Sequence, residues 1–202
     1  VKENNFLGKG INFNLSTTIT EETLKGQFYV NNPNFKNSDK TVYVGVDAIE
    51  IDRSTEFGYK TNKTGFTAGT KFEYLDDLKF GIGISNFYEK IKTDGSASAL
   101  QKTQDGNYWD SFLKLDFDFD KRNQRYKTSE GFRSNYSLDL PLLSDTNTLI
   151  NSYQYDHYTE LFENNISNAS ILLLSANSIS NDNIKLSERL FIPGRKLRGF
   201  ER

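Results

Sequence analysis

Leu113-Lys114-Leu115-Asp116-Phe117-Asp118-Phe119-Asp120 alternates apolar and charged residues without a break. Successive side chains on a β-strand point to opposite faces. Leu113, Leu115, Phe117 and Phe119 therefore share one face, and Lys114, Asp116, Asp118 and Asp120 the other. A helix would scatter both sets around its circumference. The same two-residue period runs through Ile11, Phe13 and Leu15, through Val42, Val44 and Val46, through Phe66, Ala68, Thr70, Phe72 and Tyr74, and through Leu78, Phe80, Ile82 and Ile84. Further runs begin near Leu24, Gly131, Thr148 and Ala169, which gives about nine strands of roughly 8 to 13 residues. Ordinary soluble domains favour strands of about 5 or 6.

Composition agrees with strands. Aromatic residues make up 14% of the 202, whereas Pro contributes only 3 and Gly 14, a balance that suits pleated sheet better than helix or disorder. The 25 Lys and Arg nearly offset the 27 Asp and Glu, so no broad positive field recruits nucleic acid. Mean hydropathy is −0.65, and no stretch approaches the roughly 20 apolar residues of a membrane helix. The chain has no Cys and one His, which removes thiolate chemistry and leaves little for zinc or a Ser-His-Asp relay, so no cofactor is expected. It also has no Met, and Val1-Lys2-Glu3-Asn4-Asn5 lacks the apolar core of a signal peptide. The expectation is an internal piece or a processed product.

The connectors organise the strands into an antiparallel meander without a domain boundary. Glu21-Glu22-Thr23 and Asp76-Asp77 read as tight hairpin turns, and Glu89 to Tyr108 as a long polar excursion. One row of side chains is apolar and the other carries acids and lysines that need water. A soluble sandwich, a lipocalin-like barrel and a transmembrane barrel all satisfy that alternation. Strand length favours the membrane, since about 10 tilted residues cross the hydrocarbon layer, with aromatics such as Phe72, Tyr74, Phe87 and Tyr88 placed for the interface.

Four segments carry a more specific signal: Asn5-Phe6-Leu7-Gly8-Lys9-Gly10, Val30-Asn31-Asn32-Pro33-Asn34-Phe35, the pair Asp120-Lys121-Arg122 and Thr128-Ser129-Glu130-Gly131-Phe132, and the terminal run Glu188 to Phe200 with its Arg198-Gly199-Phe200. In order and spacing they resemble the outer-membrane barrel of the BamA family, also called bacterial surface antigens. The resemblance implies an all-β, antiparallel, up-and-down transmembrane β-barrel fragment. It would comprise about nine strands of a sixteen-stranded barrel, strands three to eleven, over residues 1–202, and end in the lumen-inserted sixth loop. The periplasmic POTRA domains and the closing strands would be absent. Counting strands then places Glu21-Glu22-Thr23 and Glu89 to Tyr108 outside the cell, Asn31 to Lys40 in the periplasm, and the chain's exit outside again.

What the resemblance implies about function is a non-enzymatic β-barrel assembly insertase of the Gram-negative outer membrane. Its expected partners are unfolded outer-membrane protein clients, accessory assembly lipoproteins and outer-membrane lipids, with no nucleic acid. TamA-like and two-partner-secretion translocation barrels share the loop motif, and a passive porin shares the alternation, so these stand as alternatives. The family's loop six implies a latch of Arg198, Gly199 and Phe200 with Pro193 and Gly194. A guanidinium there would pair bidentately with a barrel carboxylate. Pro193-Gly194 and the short Arg195-Lys196-Leu197 spacer depart from the family's usual pair of glycines.

The remaining candidates read as structural. Lys114, Asp116, Asp118 and Asp120 are expected to face the lumen. Asp116 and Asp118 on a strand lie about 7 Å apart, and the calcium-loop glutamate position holds Lys127, so a metal is not expected. His157 among tyrosines reads as an ordinary hydrogen-bonded side chain, and Trp109 as an interface anchor.

Overall fold

The fold was analysed in a computed structural model, which describes residues 1–163, 165–180 and 183–190. The strands are β1 (Lys2–Phe6), β2 (Ile11–Ile19), β3 (Thr23–Asn32), β4 (Thr41–Arg53), β5 (Tyr59–Leu75), β6 (Leu78–Thr93), β7 (Gly106–Asp120), β8 (Gly131–Pro141), β9 (Thr148–Phe162) and β10 (Asn165–Ser178). Each pairs antiparallel with its neighbours in sequence, which makes one sheet in the order β1 to β10. The expected meander is therefore present, with a short β1 ahead of the nine longer strands.

Strand length exceeds the expectation. β5 has 17 residues, β6 has 16, and β7 and β9 have 15 each. Residues read as the start and end of a long polar excursion are strand. β6 continues to Thr93 and β7 begins at Gly106, so the connector is only 94–105, with the short helix α1 of that connector at Ala99–Lys102. Its Ser98 hydroxyl accepts from Gln101 N, and the Gln101 side chain accepts from Ser98 N, closing a capping box. Composition misled here because the alternation persists with polar residues in both rows.

The two faces meet different surroundings. On β6 the odd-numbered Gly81, Gly83, Ser85, Glu89 and Ile91 are buried, whereas Ile82, Ile84 and Tyr88 are exposed, Ile84 at 45%. We call the first face inner and the second outer. The outer face continues across the sheet through register partners such as Phe28↔Val46, Val46↔Phe66 and Ile84↔Leu113. It exposes Leu15, Val44, Val46, Phe66, Ile82, Ile84, Ile171 and Leu173, an apolar band that a monomer in water would cover.

Aromatic rings border the band near the tight turns. Phe72, Phe80, Phe117 and Tyr136 form a row across β5 to β8, with centroid separations of 5.7, 5.0 and 6.3 Å. Phe119, Phe132 and Tyr155 form a second row. At the other end of β5 and β6 the outer positions turn polar at Lys60, Asn62, Lys90 and Lys92, and Lys60 pairs with Glu50 at 2.6 Å. This apolar band with an aromatic border and polar ends is the outer profile of a transmembrane barrel wall. Phe87, expected at the interface, instead faces inward, where it packs on Gly65 and beneath Lys63.

Turns 76–77 and 121–130 lie at one end of the sheet. The first places Asp77 at φ 64°, a left-handed conformation that Asp tolerates. The second closes on Gly131, whose φ is 96°. A Cβ there would stand 2.2 Å from the Lys121 carbonyl, so only glycine fits. Connectors 54–58, 94–105 and 142–147 occupy the other end, and segment 183–190 returns to that same end, as the strand count expected.

Candidate functional site

The inner face carries two charged clusters separated by a tiled aromatic surface. Near the tight turns, Lys71 on β5 donates to Asp116 at 2.7 Å and reaches Asp118 at 3.4 Å. Arg133 on β8 grips the same Asp118 with Nε at 2.8 Å and an Nη at 3.1 Å. Asn135 donates to Asp116 at 3.2 Å, and Arg122 holds Asp120 through two nitrogens at 2.7 and 2.8 Å. Lys114 pairs with Asp139 at 2.6 Å. Register sets the Lys114–Asp139 pair directly, whereas Arg133 lies opposite Asp120 and reaches one inner position along β7 to Asp118.

The structure thus places Lys114, Asp116, Asp118 and Asp120 together on the inner face, each with a partner of opposite charge. Asp118 and Asp120 border a cavity of about 610 Å³ that reaches from Asn34 and Asp39 to Arg125 and Arg133, and Lys114 and Asp116 border another of about 270 Å³ beside Tyr43. Every one of these carboxylates is committed to a lysine or arginine, which suits a hydrated charged wall better than an ion-binding centre. Among the described residues no grouping of acids or His could hold a metal ion. His157 stacks on Tyr155 at 6.3 Å with nearly parallel rings.

Midway along the wall, aromatic side chains lie flat over glycines. A Cβ on Gly69 or Gly83 would meet the Tyr43 hydroxyl at 2.5 or 2.7 Å, and one on Gly45 would meet the Tyr29 ring at 3.0 Å. Tyr29 and Tyr43 stack with centroids 6.0 Å apart. Large rings on one strand fill the space that missing side chains leave on the next. Among the described residues this middle stretch of the wall is therefore packed on its inner side by its own rings.

The second cluster lies at the loop end and was not legible in the sequence. Lys185, 1% exposed, forms ion pairs with Glu89 at 3.1 Å, with Glu188 at 3.4 Å and with Asp110. Glu89 and Asp110 are fully buried. Neutral groups complete the seat: Ser187 donates to Glu89 at 2.7 Å, Thr146 donates to Asp110 at 3.1 Å and to Glu188 at 3.4 Å, and the Gln104 carboxamide oxygen accepts from Leu186 N at 2.9 Å. Leu186 sits beside a cavity of about 420 Å³ lined by Ile49, Ile51, Tyr59 and Phe87. A segment that follows the last described strand is thereby bound to the inner surface of β6 and β7.

Extending the two-residue period through the polar stretch would have put Glu89 with Gly83 and Ser85, and Asp110 with Phe112 and Lys114. That signal was present. No local pattern linked Lys185 to either acid, because the pairing spans many strands. The expected latch residues Pro193, Gly194, Arg198, Gly199 and Phe200 lie outside the described residues.

The long antiparallel sheet, its exposed apolar band and its charged inner wall define a membrane β-barrel class of protein. Residues 5–202 match the Omp85 superfamily domain, and the chain belongs to that superfamily. Its fold is similar to the crystal structure of BamA from Haemophilus ducreyi lacking POTRA domains 1–3, with a TM-score of 0.77 at 15% sequence identity. That match covers 92% of this chain and 39% of the solved one, so the chain spans well under half of its structural relative. No curated protein matches the chain.

Proposed function

We propose that this chain is part of the barrel wall of a bacterial outer-membrane protein assembly insertase. In this reading it holds strands three to eleven of a sixteen-stranded barrel and the start of the sixth loop, with POTRA domains and closing strands on the rest of the protein. The physical task of an insertase is to keep a client strand's backbone N–H and C=O groups paired while it enters hydrocarbon, where a bare polar backbone costs several kcal/mol. An edge strand that opens at a barrel seam supplies such pairing by strand addition. The wall described here would hold that seam in shape, and its clients would be unfolded outer-membrane proteins, with accessory lipoproteins as further partners.

The observation that carries the reading is the seating of segment 183–190 on the inner wall within an Omp85 superfamily barrel fold. A passive pore works best with an open bore, whereas a chain segment held inside by buried charges favours a braced scaffold. Depleting the full-length protein in its own bacterium tests the proposal. Outer-membrane β-barrel proteins should fall broadly in abundance, and wild-type complementation should restore them. Unchanged barrel levels, together with a steady ion conductance of the purified protein, would favour the pore. The loss of one autotransporter or secretion substrate alone would favour the translocation branch.

A further inference from the structure

The cluster around Lys185 is unbalanced. One ammonium faces Glu89, Asp110 and Glu188, and all four groups are buried. Other cations offset this only in part. Lys63 on β5, opposite Glu89 in register, lies over the Phe87 ring and helps hold Glu188 ionised. Arg53 and Arg189 border the adjoining cavity, and Tyr108 on β7 offers its ring to Lys185 at 5.1 Å. Thr146 and Thr148 on the β9 side, Gln104 in the connector and Ser187 are uncharged. Glu89 Oε1 and Glu188 Oε2 are buried with no hydrogen-bond partner among the described residues. Glu188, which the returning segment brings into a desolvated site already holding Glu89 and Asp110, meets both burial and like-charged neighbours, and these disfavour its ionised form.

We propose that Lys185 is the positioning residue that clamps segment 183–190 to the inner wall, and that the buried Glu188 carboxyl carries a proton in the docked clamp. The clamp goes beyond the assembly reading and stands whatever the barrel's clients are. It rests on a lysine rather than on the arginine expected at Arg198, and its carboxylates come from β6, β7 and the segment itself.

Burial, reinforced by Asp110, pushes the Glu188 carboxyl above the ordinary carboxylate range against the pull of Lys185. Burial also opposes the Lys185 charge, but Glu89 and then Glu188 and Asp110 outweigh it and raise its pKa. The lysine therefore stays charged while the Glu188 proton is lost first. A carboxyl whose pKa is raised on docking favours the docked state fully at pH below its undocked value, and loses that contribution as pH rises through the raised value. The clamp should loosen as pH rises through the raised Glu188 value, before Lys185 titrates.

The chain has no Cys, so a nitroxide on Asn183→Cys in the full-length protein reports the segment's mobility directly. With Lys185 intact the label should be immobile at mildly acidic pH and gain a mobile population as pH rises. Lys185→Met should raise the mobile-to-immobile ratio about tenfold at every pH, because it strands buried carboxylates, and Lys185→Arg should restore part of the immobilisation. Glu188→Gln, which keeps the shape and removes the titrating group, should abolish the pH-driven transition while the segment stays docked. An immobile label in Lys185→Met, or an unchanged pH profile in Glu188→Gln, overturns the proposal. None of these readings depends on assembly activity, so they separate failure of the clamp from failure of the functional proposal.

Discussion

Tyr43 occupies the volume that a side chain on Gly69 would need, with its hydroxyl 2.5 Å from the position of the missing Cβ. The Ile82 carbonyl stands 2.6 Å from the same point, so moving the tyrosine alone does not make room. Gly69→Val is expected to cost about 2 kcal/mol or more through overpacking and backbone shift. Gly26→Ala, where nothing lies within 4 Å of the added carbon, should stay within about 1 kcal/mol of wild type. Thermal unfolding of the folded barrel, followed by its gel-mobility shift, distinguishes the two.

Gly131 should be intolerant for a different reason. Its φ of 96° and the Lys121 carbonyl 2.2 Å from a would-be Cβ mean that Gly131→Ala strains the turn and breaks its closure. A loss of about 1–3 kcal/mol is expected, with faster proteolysis at 121–130 as the local readout. Glycine at Gly95, which has open space around its Cβ position, is the contrasting site.

Asp118 joins Lys71 and Arg133 into one network across β5, β7 and β8. Removing it takes the paired carboxylate from Arg133 while Lys71 keeps Asp116, so Asp118→Ala should destabilise by about 1–3 kcal/mol. Adding Arg133→Ala should cost less than the sum of the two single changes, as expected for residues in direct contact. Additive losses in denaturant unfolding would show that the pair does not act as a unit.

The outer face supplies a test of the membrane reading itself. Ile84 and Val44 lie in the exposed apolar band. Arginine at either position should cost about 2–4 kcal/mol near the bilayer midplane, measured by folding into lipid vesicles. Lys92→Arg, at the polar end of the same face, should be neutral. Equal tolerance at all three sites would mean that the band does not meet lipid.

The residues show unevenly how much could be read in advance. The segment Leu113 to Asp120 announced its strand and both its faces, because side-chain direction on a strand is a local property of the backbone. Phe87 was misassigned, since an aromatic near a strand end fits the outer border or an inner glycine seat equally well, and only Gly65 opposite it decides. The polar stretch after Glu89 hid strand behind composition, because hydrogen bonds to β5 on one side and β7 on the other hold it extended whatever its polarity.

Alternation, turn residues and strand length therefore determined by themselves that this chain is a long antiparallel meander with one greasy and one charged face, since each depends on neighbours a few residues apart. The meeting of Lys185 with Glu89, Asp110 and Glu188 was decided only by the tertiary structure. Its members come from strands and a segment far apart in sequence, and their attraction is strong only where the sheet and the returning chain together exclude water.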